Sequence, residues 1–207
     1  IFIAGGTNSS GTILNDFLSF DETSNNWTVL SNMPTARRSL MLVSYNDRIW
    51  AIGGLSNSVL TTVESFNPEN NTWRTEASLN SPRAGPFVWL ANDTIYVGGG
   101  AGNSGINPTI EKYDLSSQKW VLSGYLPEAI EFGDTAFLHD TIYLIGGRNS
   151  DTYSNKVFAA DLNASVEGVH DLYVKTGDAS TGTPTVQAEV ADGSIGPSKL
   201  SSEVSNA

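Results

Sequence analysis

Four times along the chain a short run of β-branched and aromatic residues ends in a pair of glycines. Residues 1–6 read IFIAGG, 49–54 IWAIGG, 95–100 IYVGGG and 142–147 IYLIGG. Such runs predict strands, and the closing pair marks a turn where no side chain fits. The pairs are Gly5-Gly6, Gly53-Gly54, Gly99-Gly100 and Gly146-Gly147, so the second glycines recur after 48, 46 and 47 residues. A second hydrophobic marker keeps step. Phe20, Phe66 and Tyr113 each precede a turn-forming residue and stand seven residues before a tryptophan, namely Trp27, Trp73 and Trp120. From each tryptophan to the second glycine of the next pair is 27 residues, all three times. Asn46-Asp47, Asn92-Asp93 and His139-Asp140 are short polar pairs between hydrophobic runs and predict hairpin turns.

Each period therefore holds about four strands. The first leads to the Asp turn, the second ends in Gly-Gly, the third carries the aromatic–Asp pair and the fourth starts at the tryptophan. One such antiparallel sheet cannot bury both its faces alone; radial stacking of copies can, which predicts a β-propeller. Residues 1–30 read as a partial blade without its first strand, 31–76 and 77–123 as complete blades, and 124–175 as a degenerate one. In the last blade Ala160-Asp161 lacks the aromatic, no tryptophan follows, and Tyr173 within an outer-strand candidate at 169–174 is expected to fill in. Degenerate terminal repeats are normal in arrays.

Within each interval Arg37 and Arg83 sit ten residues after their tryptophan, shortly after Pro34 and Pro82; the third such position holds Ile130. With the Gly-Gly pairs and the aromatic-to-tryptophan spacing, this proline–arginine approach resembles the kelch family, over residues 1–161. The resemblance implies an all-β kelch-type propeller, within the galactose oxidase-like superfamily, of about four four-stranded blades running from an inner first strand to an outer fourth. It also implies that the loops between strands two and three, and between blades, line the binding face.

Composition then narrows the function. Charged residues are only 16% and the net charge is −11, which removes the basic footprint of a nucleic-acid binder and disfavours an anionic membrane surface. No apolar run approaches the roughly 20 residues of a membrane helix. There are no cysteines, hence no disulfide, thiolate zinc site or cysteine nucleophile within this segment. Five N-x-Ser/Thr sequons, at Asn8, Asn26, Asn70, Asn92 and Asn163, lean only slightly toward an extracellular or cell-surface setting over a cytoplasmic one. The chain begins at Ile1 inside a strand pattern, which reads as a fragment.

From residue 176 the composition turns to Gly, Ser, Thr and Ala. Residues 176–207 read as a linker and low-complexity tail that offers a route to oligomerisation. Two closures of the ring are expected: further blades before Ile1, giving five to seven, or residues 183–190 returning to supply the inner strand that blade one lacks.

The tryptophans at repeat positions are packing residues on this reading, although exposed rings also stack on sugars. Arg37 and Arg83 bond loop carbonyls where one blade meets the next; the alternative is that they ring the central mouth and pair with an anionic partner. Arg38 and Arg148 are less bound to the repeat and are better contact candidates, together with Asn103 and Asn149. The loops after the glycine pairs, 7–15, 55–60, 101–107 and 148–155, vary while their flanks do not, as specificity loops on a repeated scaffold do.

For an enzyme there is little. His139 and His170 have no partner at ligand spacing, no G-x-S-x-G elbow or phosphate-binding loop occurs, and no metal or cofactor is called for. Glu128, Glu131 and Asp134 read as an acidic loop before an acid–base pair. Galactose oxidases of this superfamily need a cysteine joined to a tyrosine, which is missing. The expected function is non-enzymatic recognition of a protein or a glycan through one propeller face. The alternative is a carbohydrate-active kelch enzyme such as a sialic-acid mutarotase, since scaffold does not fix activity.

Overall fold

The computed structural model describes residues 1–138, 141–150 and 152–160, together with the strand backbone of 161, 173–177 and 184–187. Every regular element among them is a β-strand. Blade one holds β1 (Phe2–Ala4), β2 (Phe17–Asp21) and β3 (Asn26–Val29). Blade two holds β4 (Met41–Tyr45), β5 (Arg48–Ile52), β6 (Val63–Asn67) and β7 (Thr72–Thr75). Blade three holds β8 (Phe87–Ala91), β9 (Thr94–Gly98), β12 (Thr109–Asp114) and β13 (Lys119–Tyr125). A small hairpin of β10 (Ala101–Gly102) and β11 (Gly105–Ile106) lies in its second loop. Blade four holds β14 (Asp134–Leu138), β15 (Thr141–Ile145), β16 (Val157–Asp161), β17 (Tyr173–Gly177) and β18 (Pro184–Gln187). Within each blade the strands lie in sequence order and pair antiparallel. The first strands β4, β8 and β14 lie against one another, and Thr135 Oγ1 of β14 donates to the carbonyl of Val88 in β8 at 2.8 Å.

The alternation of side chains makes each blade apolar on both faces, and each gap between blades is one core. Phe2, Ala4 and Phe17 of blade one meet Ile49, Phe66 and Trp73 of blade two. Trp50, Ile52 and Val63 of blade two meet Ile95, Val97, Tyr113 and Trp120 of blade three. Phe87, Trp89 and Ile110 of blade three meet Ile142, Leu144 and Phe158 of blade four. The tryptophans reach back across these gaps. Trp73 Nε1 donates to the Ser31 carbonyl at 2.7 Å, and Trp120 Nε1 to that of Ala77 at 2.9 Å. Trp27 has no blade before it among the described residues, leans on its own Phe20 at 4.9 Å and is 49% exposed.

The glycine pairs are required by the same contacts. In Gly5, Gly53 and Gly99 the backbone is left-handed, at φ 61°, 62° and 66°. A Cβ there would collide with the carbonyl oxygen of Arg37, Arg83 or Ile130, which belongs to the next blade. The following glycine donates its N–H to that same oxygen: Gly6 to Arg37 at 3.0 Å, Gly54 to Arg83 at 2.7 Å, Gly100 to Ile130 at 2.9 Å. The Gly-Gly pair is thus the point where one blade hydrogen-bonds its successor. The polar hairpins fold as expected, with Asn46-Asp47 at φ 48° and 55° and Asn92-Asp93 at 47° and 55°, the signature of a two-residue type I′ turn.

Two expectations change. The tail does not begin at residue 176: β17 runs to Gly177, and β18 pairs with it as a fifth strand, Gly177 opposite Pro184. Residues 184–187 therefore extend the outer edge of blade four and do not complete blade one, whose sheet has three strands. A short hairpin satisfies the open edge of β17 at far smaller loop-closure cost than a return across the ring. The His139-Asp140 turn, Asn163, His170, residues 169–172, the side chain of Tyr173 and the tail beyond Gln187 lie outside the described residues.

Candidate functional site

Antiparallel blades put the loops between strands two and three at the same end as the connections between blades. Backbone bridges tie the two sets together: Arg38 to Leu55, Ala84 to Ala101, and Glu131 to Arg148. The opposite end carries the tight turns at 46–47 and 92–93 and those at 22–25, 68–71 and 115–118. The four variable loops therefore share one face, on which each is anchored to the mouth of the propeller.

Arg37 and Arg83 are not on that face. Both are fully buried. Arg37 Nη1 donates to the carbonyls of Gly53 (3.1 Å) and Thr62 (3.0 Å), and Nη2 forms an ion pair with Glu64 at 2.7 Å. Arg83 repeats this with Gly99 (2.8 Å), Thr109 (2.9 Å) and Glu111 (2.9 Å). Glu64 also accepts from Thr35 Oγ1 at 2.6 Å; Glu111 also accepts from the Asn80 N–H at 2.7 Å and its side-chain amide at 2.9 Å. Burial lowers both guanidinium pKa values from the usual arginine range, and the facing glutamates offset part of that. As on the first reading, these two arginines bond carbonyls where blades meet; the alternative, that they ring the mouth and contact an anionic partner, is corrected, because their charge and donors are committed inside the wall. In blade four the register places Ile130 and Phe158 where the other blades have arginine and glutamate, both buried in the apolar core. The glutamates were missed in the sequence, although Glu64 and Glu111 each stand two residues before the repeat aromatic.

Arg38 and Asn103 are exposed on the loop face, Asn103 at the tip of the β10–β11 hairpin. Arg148 is half-exposed and held. Its Nε donates to Glu131 Oε1 at 2.7 Å, and its guanidinium carbon lies 5.3 Å from the centre of the Phe132 ring. Asn149 donates from its side-chain amide to Glu128 Oε1 at 2.8 Å, and Lys156 Nζ donates to Glu128 Oε2 at 2.5 Å. The bond from Lys156, then that from Asn149, lowers the pKa of Glu128. Glu128 and Glu131 thus answer nearby cations. Asp134 is exposed and accepts from the Thr135 N–H at 2.8 Å.

Two residues of this face were not singled out by sequence reasoning. Phe132 is 48% exposed and sits at φ 56°; Tyr153 is 84% exposed. The positions equivalent to Phe132, twelve residues after each tryptophan, are Ser39 and Gly85, at φ 55° and 58°. Gly85 donates its N–H to Ser39 O at 2.7 Å, and Phe132 its N–H to Gly85 O at 2.9 Å, so a chain of bonds across the gaps enforces the left-handed backbone. The aligned Gly85 was the available signal that Phe132 occupies a backbone that favours glycine.

Repeated antiparallel β-blades, with their first strands side by side and their variable loops at one end, define a β-propeller architecture. The model for the KLHDC2/KLHL20/DRC7 kelch-repeats domain matches residues 1–166. The chain belongs to the kelch-repeat family. It is 32% identical over 57 residues to alpha-scruin of Limulus polyphemus, an alignment covering 28% of this chain and 6% of that protein. Among solved structures, that of YjhT superposes with a TM-score of 0.72 at 17% identity, over 88% of this chain and 63% of YjhT. The chain thus spans less than two thirds of either protein.

Proposed function

We propose that the chain is a non-enzymatic recognition module that binds a protein partner through the loop face, at the strand two–three loops and the connections between blades. One observation carries this reading. Three of the four variable loops are bridged to an inter-blade connection and the first is tied to one by the Arg37 N–H to Leu14 O bond, so a single surface combines sequence freedom with a fixed scaffold. Kelch domains generally mediate protein interactions, which supports a protein over a glycan as the partner. The carbohydrate-active alternative draws no support from the two buried arginine–glutamate pairs, which lie inside the wall.

The test places a photo-crosslinking amino acid at the exposed loop-face positions Asn57, Asn103 or Ser150, or at the exposed opposite-face positions Glu22, Glu69 or Ser116. In extract from the source cells, the three loop-face probes are expected to capture the same protein, and the opposite face none. Capture from the opposite face alone, or turnover of a sugar by the unmodified chain, overturns the assignment.

A further inference from the structure

We propose that Phe132, Arg148 and Tyr153 of blade four form the anchor of the loop face, and that the partner presents there an uncharged or basic segment bearing an apolar side chain, not an acidic one. This rests on the loop-face reading above and adds the place and the chemistry.

Phe132 supplies the first argument. At the mouth of the propeller the same left-handed backbone position is filled by Ser39 and Gly85, which shows that the fold itself needs no large side chain there. A bulky residue at positive φ is strained, and strain of this kind persists where the side chain is used. The Phe132 ring is half-exposed and lies over Gly85, where a Cβ would overlap it.

Tyr153 supplies the second. Among the described residues of blade four it is far more exposed than any other large apolar side chain, yet its backbone is held. It is bridged to Arg148, Asn149 donates its N–H to Thr152 O at 3.0 Å, Thr152 donates to Asn149 Oδ1 at 2.9 Å, and Ser154 donates to Gly147 O at 2.8 Å. An aromatic ring on an ordered loop loses little conformational freedom on binding, and tyrosine and arginine are the residue types that most often carry interface affinity. Arg148 is pre-positioned between Glu131 and the Phe132 ring, with its two Nη groups unbonded among the described residues.

Charge then selects the partner. Around the anchor Arg148 pairs with Glu131 and Lys156 with Glu128, Asp134 is exposed at the start of β14, and the chain as a whole carries a net charge of −11. An acidic segment would meet a surplus of like charge.

A phage-displayed library of random dodecapeptides, selected on the full 207-residue chain, tests the proposal. The expected winners carry an aromatic or aliphatic anchor with zero or positive net charge. Their affinity as synthetic peptides should fall at least tenfold with Tyr153→Ala and with Phe132→Gly. The melting temperature should be unchanged in the first variant and equal or higher in the second, because glycine suits the positive φ. Enrichment of acidic peptides overturns the chemistry. Winners that bind both variants as tightly as the parent overturn the site while leaving loop-face recognition in place. No enrichment, with binding on a glycan array instead, overturns both.

Discussion

Among single side chains the buried ion pairs set the strongest constraint. Arg83 and Glu111 are held in a fully desolvated network, so removing one partner leaves an uncompensated charge. Glu111→Leu is expected to cost about 3–5 kcal/mol in urea unfolding. Blade four shows the other solution, with Ile130 and Phe158 at the equivalent positions. The double change Arg83→Ile with Glu111→Phe should therefore cost less than Glu111→Leu alone; a double variant less stable than that single variant would show that the arginine's bonds to Gly99 and Thr109 outweigh the pair. This exchange also marks how far the sequence could be read. The arginines stood out by their spacing, but whether they faced solvent or the wall depended on glutamates 27 and 28 residues away, and those become partners only once the strands are in register. Phe132 escaped notice for a similar reason, since a φ angle is written in the sequence only through the company of Gly85.

Strands and turns were more legible, because each repeats a local rule. The Gly-Gly ends, the two described type I′ hairpins and the tryptophan starts all follow from short-range chemistry and fell where spacing put them. Their energetic weight depends on what lies across the gap. Trp73→Ala should cost about 3–5 kcal/mol, since the indole packs on Phe17 and Phe66 and bonds Ser31. Trp27→Ala should cost well under half of that in the same thermal melts, because that ring is half in water. Gly53→Ala should be far more damaging than Gly146→Ala. Both carry the cost of a positive φ, but only Gly53 has a neighbouring blade's carbonyl in the space a Cβ would take, whereas Gly146 has nothing nearer than Ser154 O at 3.6 Å. The turns after the third strand are capped by Asp21 and Asp114, and Asp114 has its pKa lowered to about 2 by bonds from Ser117 and Ser116. Its folded pKa is below the unfolded value of about 4, so its contribution is present above pH 4 and is lost as pH falls toward 2. Asn67 makes the same turn without a charge, accepting from the Glu69 N–H at 2.8 Å. Asp114→Asn should thus leave neutral stability near the parent's and flatten the acid limb of a stability–pH curve; an unchanged limb would show that this carboxylate does not act there.

Across the array as a unit, the repeat explains why its two ends differ. The face of blade one that points away from blade two carries Ile1, Ile3, Phe20 and Trp27, and Ile1 and Ile3 are 65% and 49% exposed. The same positions in blades two to four, Ile49 and Ala51, Ile95 and Val97, Ile142 and Leu144, are all at or below 7%. At the other end, blade four has Asp134 and Ala136 where blades two and three have Met41 and Val43, Phe87 and Trp89. Of the two outer faces of this chain, that of blade one keeps the character of an internal gap while that of blade four carries more polar positions. An apolar sheet face of this kind drives association in water. The 207-residue chain is expected to show concentration-dependent self-association in sedimentation velocity, and Ile3→Lys should abolish it by placing an ammonium in the face. Leu122→Lys is the matched control, since Leu122 is 59% exposed on an outer strand that its neighbouring blades leave uncovered. Equal loss of association in both variants would trace the effect to added charge on an acidic protein and not to this surface. Persistence in both would move the interface elsewhere, with the polar-substituted face of blade four, where Leu138 and Ile145 remain exposed, as the next to examine.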